Sequence, residues 1–83
     1  MLNEVMVEGF IHEVRGAGRY TELMLADTKG SFFPVYTKTR LGRESMAKRV
    51  RAVGVLETVA CMWRGLESRK CVVMAEFIQE IGR

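Results

Sequence analysis

Residues 50–63, Val-Arg-Ala-Val-Gly-Val-Leu-Glu-Thr-Val-Ala-Cys-Met-Trp, keep a period of two from end to end. Val50, Ala52, Gly54 and Leu56 fall on one side, and Val53, Val55, Glu57, Val59, Cys61 and Trp63 on the other. Side chains that alternate this way belong to an extended strand, so this stretch commits the chain to β-structure before anything else is known of it. Gly54 stands at its middle.

The same period recurs upstream. Val5, Val7, Gly9 and Ile11 alternate with Met6, Glu8, Phe10 and His12, which predicts a first strand over residues 3–14 that is apolar on parts of both faces. Gly9 within it marks strong bending or a close backbone approach. After the loop Arg15-Gly16-Ala17-Gly18-Arg19, a second strand runs from Tyr20 to Asp27 with Leu23 and Leu25 pointing one way. Asp27-Thr28-Lys29-Gly30 has the composition of a turn, and Ser31–Thr37 follows as an aromatic, β-branched strand. Pro34 cannot donate to a ladder, so this third strand has a free side or a bulge there. From Leu41 to Arg49 the spacing becomes helical and predicts one short amphipathic helix. Beyond the fourth strand, Arg64–Ser68 reads as a hairpin loop and Arg69–Gln79 as the returning fifth strand. Its adjacent Val72, Val73 and Met74 leave the facing open.

Eighty-three residues supply one core, so residues 1–83 are read as a single domain. Five short strands must bury one face and hide their edges, and a small barrel does both. The order strand, strand, strand, helix, strand, strand is that of the OB-fold. The expected class is therefore all-β, a five-stranded OB-fold barrel with one short helix between strands 3 and 4.

Several functional classes are disfavoured. No apolar run approaches the roughly 18 residues that span a bilayer, and the N-terminus lacks a signal-peptide pattern, so a cytoplasmic location with no membrane partner is expected. Cys61, Cys71 and the lone His12 make neither a disulfide framework nor a zinc set, and no metal or other cofactor is expected. No serine or cysteine is linked to His12 by a motif, and no glycine loop fits a phosphate cradle, so no catalytic residue is assigned and the chain is read as a non-enzyme.

A net charge of +3 permits a polyanionic partner without requiring one. Its distribution is more informative: Lys38, Arg40, Arg43, Lys48, Arg49 and Arg51 are opposed between residues 38 and 51 by Glu44 alone. That run either guides phosphates or merely solubilises a helix face.

Asn3-Glu4-Val5-Met6-Val7-Glu8-Gly9 resembles the opening of bacterial single-stranded-DNA-binding proteins, and Val53-Gly54-Val55-Leu56-Glu57-Thr58 is similar to their glycine-centred fourth strand. Gly65-Leu66 and Met74–Ile81 resemble the closing hairpin of the related primosomal replication protein N family. The resemblance implies an OB-fold that binds single-stranded nucleic acid, DNA before RNA, in replication, recombination or mobile-element maintenance, with replication proteins as further partners. It also implies dimers to which first strands contribute. Two departures limit what is carried over. The loop between strands 2 and 3 is cut to Asp27–Gly30, and the chain ends at Arg83 without an acidic recruiting tail, so recruitment through such a tail is not expected.

An OB groove combines cations along phosphates with aromatic faces under bases. Trp63, beside Arg64 and expected across the hairpin from Arg69 and near Lys70, is either a stacking platform or a lid on the barrel mouth. Phe32 and Phe33 cannot both be core, and the pair Phe32/Tyr36 is favoured for the groove. Tyr20, beside Arg15 and Arg19, is a groove residue or a strand-end ring, and Lys38 adds a cation. Met6, Phe10 and His12, opposite the inward set of strand 1, are assigned to a homo-oligomer interface, because large apolar patches are usually covered. The rival reading is an OB-fold protein-interaction or oligomerisation subunit with little affinity for nucleic acid. A hairpin symmetric about Leu66 would set Cys61 opposite Cys71 and Trp63 opposite Arg69, with the thiols kept reduced by a cytosolic compartment.

Overall fold

The computed structural model describes residues 4–82, with Trp63 described by its backbone alone. It is all-β: β1 (Glu4–Ala17), β2 (Tyr20–Ala26), β3 (Phe32–Thr37), β4 (Arg49–Trp63) and β5 (Leu66–Glu80). The strands form one sheet in the order β1-β2-β3-β5-β4, and β4 pairs back onto β1, so the sheet closes in a ring. Every contact between neighbours is antiparallel except β3 with β5, which run parallel over Val35–Thr37 and Val73–Ala75. The expected start of the first strand at Asn3 lies outside the described residues.

Alternation decides what the ring encloses. Ile11, Leu23, Leu25, Val35, Val50, Ala52 and Val73 form the buried core, with Val5, Val7, Val14, Leu41, Ala75 and Ile78 packed against it. Registers agree, since Leu23 lies between Val14 on β1 and Val35 on β3. The facing of β5 that the sequence left open follows: Val73 and Ala75 point inward and Met74 outward. Between Ile11 and Glu13 the ladder with β2 slips by one residue, which makes His12 a bulge and brings Val14 back to the inside.

Two-residue turns tie the β1–β2 and β4–β5 hairpins. Gly18 has φ +66 at the first position of the Gly18-Arg19 turn, the feature of a type II′ hairpin. Arg64 and Gly65 both have positive φ, as a type I′ turn requires. This second turn shifts the expected register: Trp63 pairs with Leu66, Arg69 with Ala60, Cys61 with Ser68 and Cys71 with Thr58. Trp63 is therefore not opposite Arg69, nor Cys61 opposite Cys71, because the hairpin is centred between Arg64 and Gly65 rather than on Leu66. The turn after β2 is held by Asp27, whose carboxylate accepts the N–H groups of Ser31 and Lys29, each at 2.8 Å. Those two donors hold its pKa below the ordinary carboxylate value.

The helix expected over Leu41–Arg49 does not form. Only a single 3₁₀ turn, Arg43–Ser45, is present. Gly42 before it is extended, no side chain caps it, and Ala47 at φ +70 ends it. The sheet takes up the backbone that a helix would have needed: Ala47 N–H donates to Ile11 O at 2.7 Å, and Ile11 N–H to Lys48 O at 2.9 Å. One costly helical nucleus of three residues cannot compete with two long-range β-type bonds.

Among the described residues, β4 pairs with β1 up to Val55, and β5 pairs with β3 from Val73 onward. Among the same residues, 56–63 and 66–72 pair with each other alone, as a two-stranded arm. Pro34 sits in the half of β3 that β5 does not pair, where its missing donor leaves no gap in a ladder.

Candidate nucleic-acid interface

The outward faces of β2 and β3 carry Tyr20, Glu22 and Met24 beside Tyr36, Pro34 and Phe32. The Tyr20 and Tyr36 rings lie 6.0 Å apart, tilted by 46°. Glu22, across the ladder from Tyr36, has a side chain only 9% exposed, and its carboxylate accepts a 2.7 Å hydrogen bond from Lys70 Nζ. That ammonium also stands 5.6 Å from the centre of the Tyr36 ring. The hydrogen bond to Glu22 raises the pKa of Lys70, with desolvation opposing it. Lys70 therefore pins the base of the arm to the ring, and its charge is already answered within the protein.

Two clefts open beside this face and share Tyr20. One, of about 320 Å³, lies between the β1–β2 turn and the chain leaving β3, with Arg15, Arg19 and Arg40 around Gly16, Gly18 and Tyr20. The other, of about 390 Å³, runs from Tyr20 past Lys38 and Thr39 to Val55 and Met74, with the carboxylates of Glu57 and Glu76 also on its wall. Arg15 is bound to Glu13 at 2.8 Å, whereas Arg19, Arg40 and Lys38 make no ion pair among the described residues.

The basic run splits on the same criterion. Lys48 pairs with Glu80 at 3.6 Å, and Arg49 and Arg51 both reach Glu8, at 3.4 and 2.8 Å. Half of the cations that stand out in the sequence are thus answered by carboxylates from β1 and β5, and Lys38, Arg40 and Arg43 make no ion pair among the described residues.

The remaining assigned residues are dispersed. Phe32 shares the outward face of β3 with Tyr36 but lies four residues away, roughly 13 Å along a strand. Its ring lies 5.0 Å from that of His12, tilted by 56°, on the side of the sheet end where Phe10 also lies. Arg69 is on the arm and Arg64 in its terminal turn, while the stacking expected of Trp63 concerns a side chain outside the described residues. Met6 and Phe10 both point outward from β1, but Glu8 and its two arginines stand between them. Met6 aligns instead with Val53 and Phe77 in one row across β1, β4 and β5, where Met6 is 57% and Phe77 69% exposed.

Glu22 and Phe77 were not singled out from the sequence, whereas Arg40 was named only as one of the basic run. The partner of Glu22 is 48 residues away and Phe77 meets Met6 only through the ring, so no local pattern marks them. Among the described residues no three of His, Cys, Asp and Glu gather as a metal-ligand set, and no helix is long and apolar enough to cross a membrane.

No protein-family model and no curated protein matches the chain.

Proposed function

We propose that this chain is an OB-fold domain that binds single-stranded nucleic acid, with DNA as the favoured ligand, and does no chemistry on it. The observation that carries the reading is the cleft of Arg19 and Arg40 beside Tyr20, two cations that make no ion pair among the described residues, with Lys38 on the far side of Tyr20 in a second cleft that Glu57 and Glu76 also line. Single strands are held by this combination: counterion release along the phosphates, and stacking worth roughly 1–3 kcal/mol per base on an aromatic face. Arg19, Arg40 and Lys38 would track the backbone, and Tyr20 would offer the ring. Arg64, Arg69 and Trp63 extend the surface along the arm. Lys70, Arg15 and Tyr36 shape it, because the charges of Lys70 and Arg15 are engaged and Lys70 lies over the Tyr36 ring.

Titration of labelled oligo-dT, oligo-rU and duplex at two salt concentrations tests this. Oligo-dT should bind at low salt, more tightly than duplex, and log affinity should fall with log salt by about 0.7 per phosphate contact. A folded protein that binds neither single-stranded DNA nor RNA at low salt would sink the proposal in favour of an interaction subunit.

The row Met6–Val53–Phe77 supports self-association as part of the same reading, since apolar residues exposed side by side are usually covered. Sedimentation should show a dimer or larger particle that shrinks on the double change Met6→Lys/Phe77→Glu. A wild-type monomer at all accessible concentrations would remove this part.

A further inference from the structure

The cleft between the β1–β2 turn and the chain leaving β3 has a feature that folding does not demand. Gly16 sits in its wall, in the strand β1, without a positive φ. A Cβ built there meets no atom within 4 Å. Neighbouring Gly18 is different, because its φ of +66 is required by the turn. Glycine within a strand costs about 0.5–1 kcal/mol relative to alanine, so Gly16 runs against local preference. Its one evident effect is to leave open a space bordered by Arg19 and Arg40, neither of which makes an ion pair among the described residues.

We infer that this cleft is a one-nucleotide subsite in which Arg19 and Arg40 clamp a single phosphodiester of the bound strand, while Gly16 leaves room for it and Tyr20 meets the adjoining base. The inference rests on the function proposed above and names its anchoring point. At about 320 Å³ the cleft lies at the small end of the roughly 300–1,000 Å³ range of ligand pockets, which suits one nucleotide unit and not a stretch of strand. Guanidinium groups suit the task, since their planar forks present paired N–H donors to phosphate oxygens. Arg15 completes the wall, but Glu13 takes part of its charge.

The test measures the anisotropy of labelled oligo-dT of about ten nucleotides, within the roughly 4–16 that one OB domain occupies. It compares wild type with Arg40→Ala, Gly16→Val, Arg43→Ala and Phe32→Ala, each checked for its thermal midpoint. Arg40→Ala should weaken binding by about tenfold and flatten the salt dependence by about 0.7. Gly16→Val should weaken it by a similar factor while the midpoint holds or rises, since valine suits a strand better than glycine does. Arg43→Ala, an unpaired cation outside the cleft, and Phe32→Ala should stay within about twofold of wild type. If wild type binds but Arg40→Ala and Gly16→Val do not differ from it, or if Arg43→Ala is as damaging as Arg40→Ala, the subsite is wrong and the nucleic-acid function stands. If wild type itself fails to bind, both fall together.

Discussion

Gly54→Ala should destabilise the domain by about 3 kcal/mol or more, the largest effect expected of any single methyl group in this chain. Gly54 lies where the β4–β5 ladder slips between Val53 and Gly54, and there β5 crosses directly over it. A Cβ on Gly54 would fall on the Met74 carbonyl oxygen and within 2.7 Å of Ala75 Cα. These are backbone atoms of a strand paired on both sides, so no rotamer change relieves the overlap and β5 itself would have to move. Val73 and Ala75 make the parallel contact with β3 that closes the ring, and moving β5 strains that closure. Urea unfolding of Gly54→Ala beside Gly16→Val separates the two roles of glycine, close approach in one case and open space in the other. A loss under about 1 kcal/mol for Gly54→Ala would show that β5 does not pass as closely as described.

Leu23→Ala should cost about 3–5 kcal/mol, and its neighbour Met24→Ala no more than about 1. Leu23 is 0% exposed, on the strand between β1 and β3, and is flanked in register by Val14 and Val35. Removing its side chain leaves a cavity that walls from three strands cannot collapse to fill, because their hydrogen-bonded ladders fix the spacing. Met24 points outward and keeps part of its surface in water, so its loss opens no enclosed space. For a domain of this size, each kcal/mol corresponds to a fall of about 4–8 °C in Tm, and calorimetry should resolve the two variants easily. Equal losses at the two positions would contradict the assignment of faces on β2. Total stability of small domains is only about 5–15 kcal/mol, so the Leu23 variant is best measured with a stabilising osmolyte present.

The arrangement also accounts for how a modestly charged domain would hold an anion. Its formal charge of +3 is spread over thirteen cations, but Lys48, Arg49, Arg51, Arg15 and Lys70 are engaged by carboxylates of the protein itself. What remains near Tyr20 is Arg19 and Arg40 in one cleft and Lys38 in the next, the latter shared with Glu57 and Glu76. Net charge is thus a poor guide to the surface offered to a partner, and position relative to Glu8, Glu13, Glu22 and Glu80 is a better one.

Alternation was enough to find all five strands, because the side-chain period of an extended chain is a local property and one buried face enforces it in every strand. Gly9 was legible as a close approach for the same reason: its Cβ would meet Ala26 O at 2.8 Å, and only glycine fits such a place in a strand. The helix over Leu41–Arg49 was misread because helical spacing is also local, whereas the competing bonds of Ala47 and Lys48 come from Ile11, more than thirty residues earlier. The hairpin register was misplaced by a smaller cause, the positive φ of Arg64, a conformation the arginine side chain does not announce. Tertiary structure alone decided which cations are spent on distant carboxylates. Glu8 reaches Arg49 and Arg51 across 41 and 43 residues, and Glu22 reaches Lys70 across 48, so these pairs are joined by ring closure, whereas Arg15–Glu13 is a pair of sequence neighbours. The cleft of Arg19 and Arg40 has the same origin, for it forms only where the β1–β2 turn meets the chain that leaves β3.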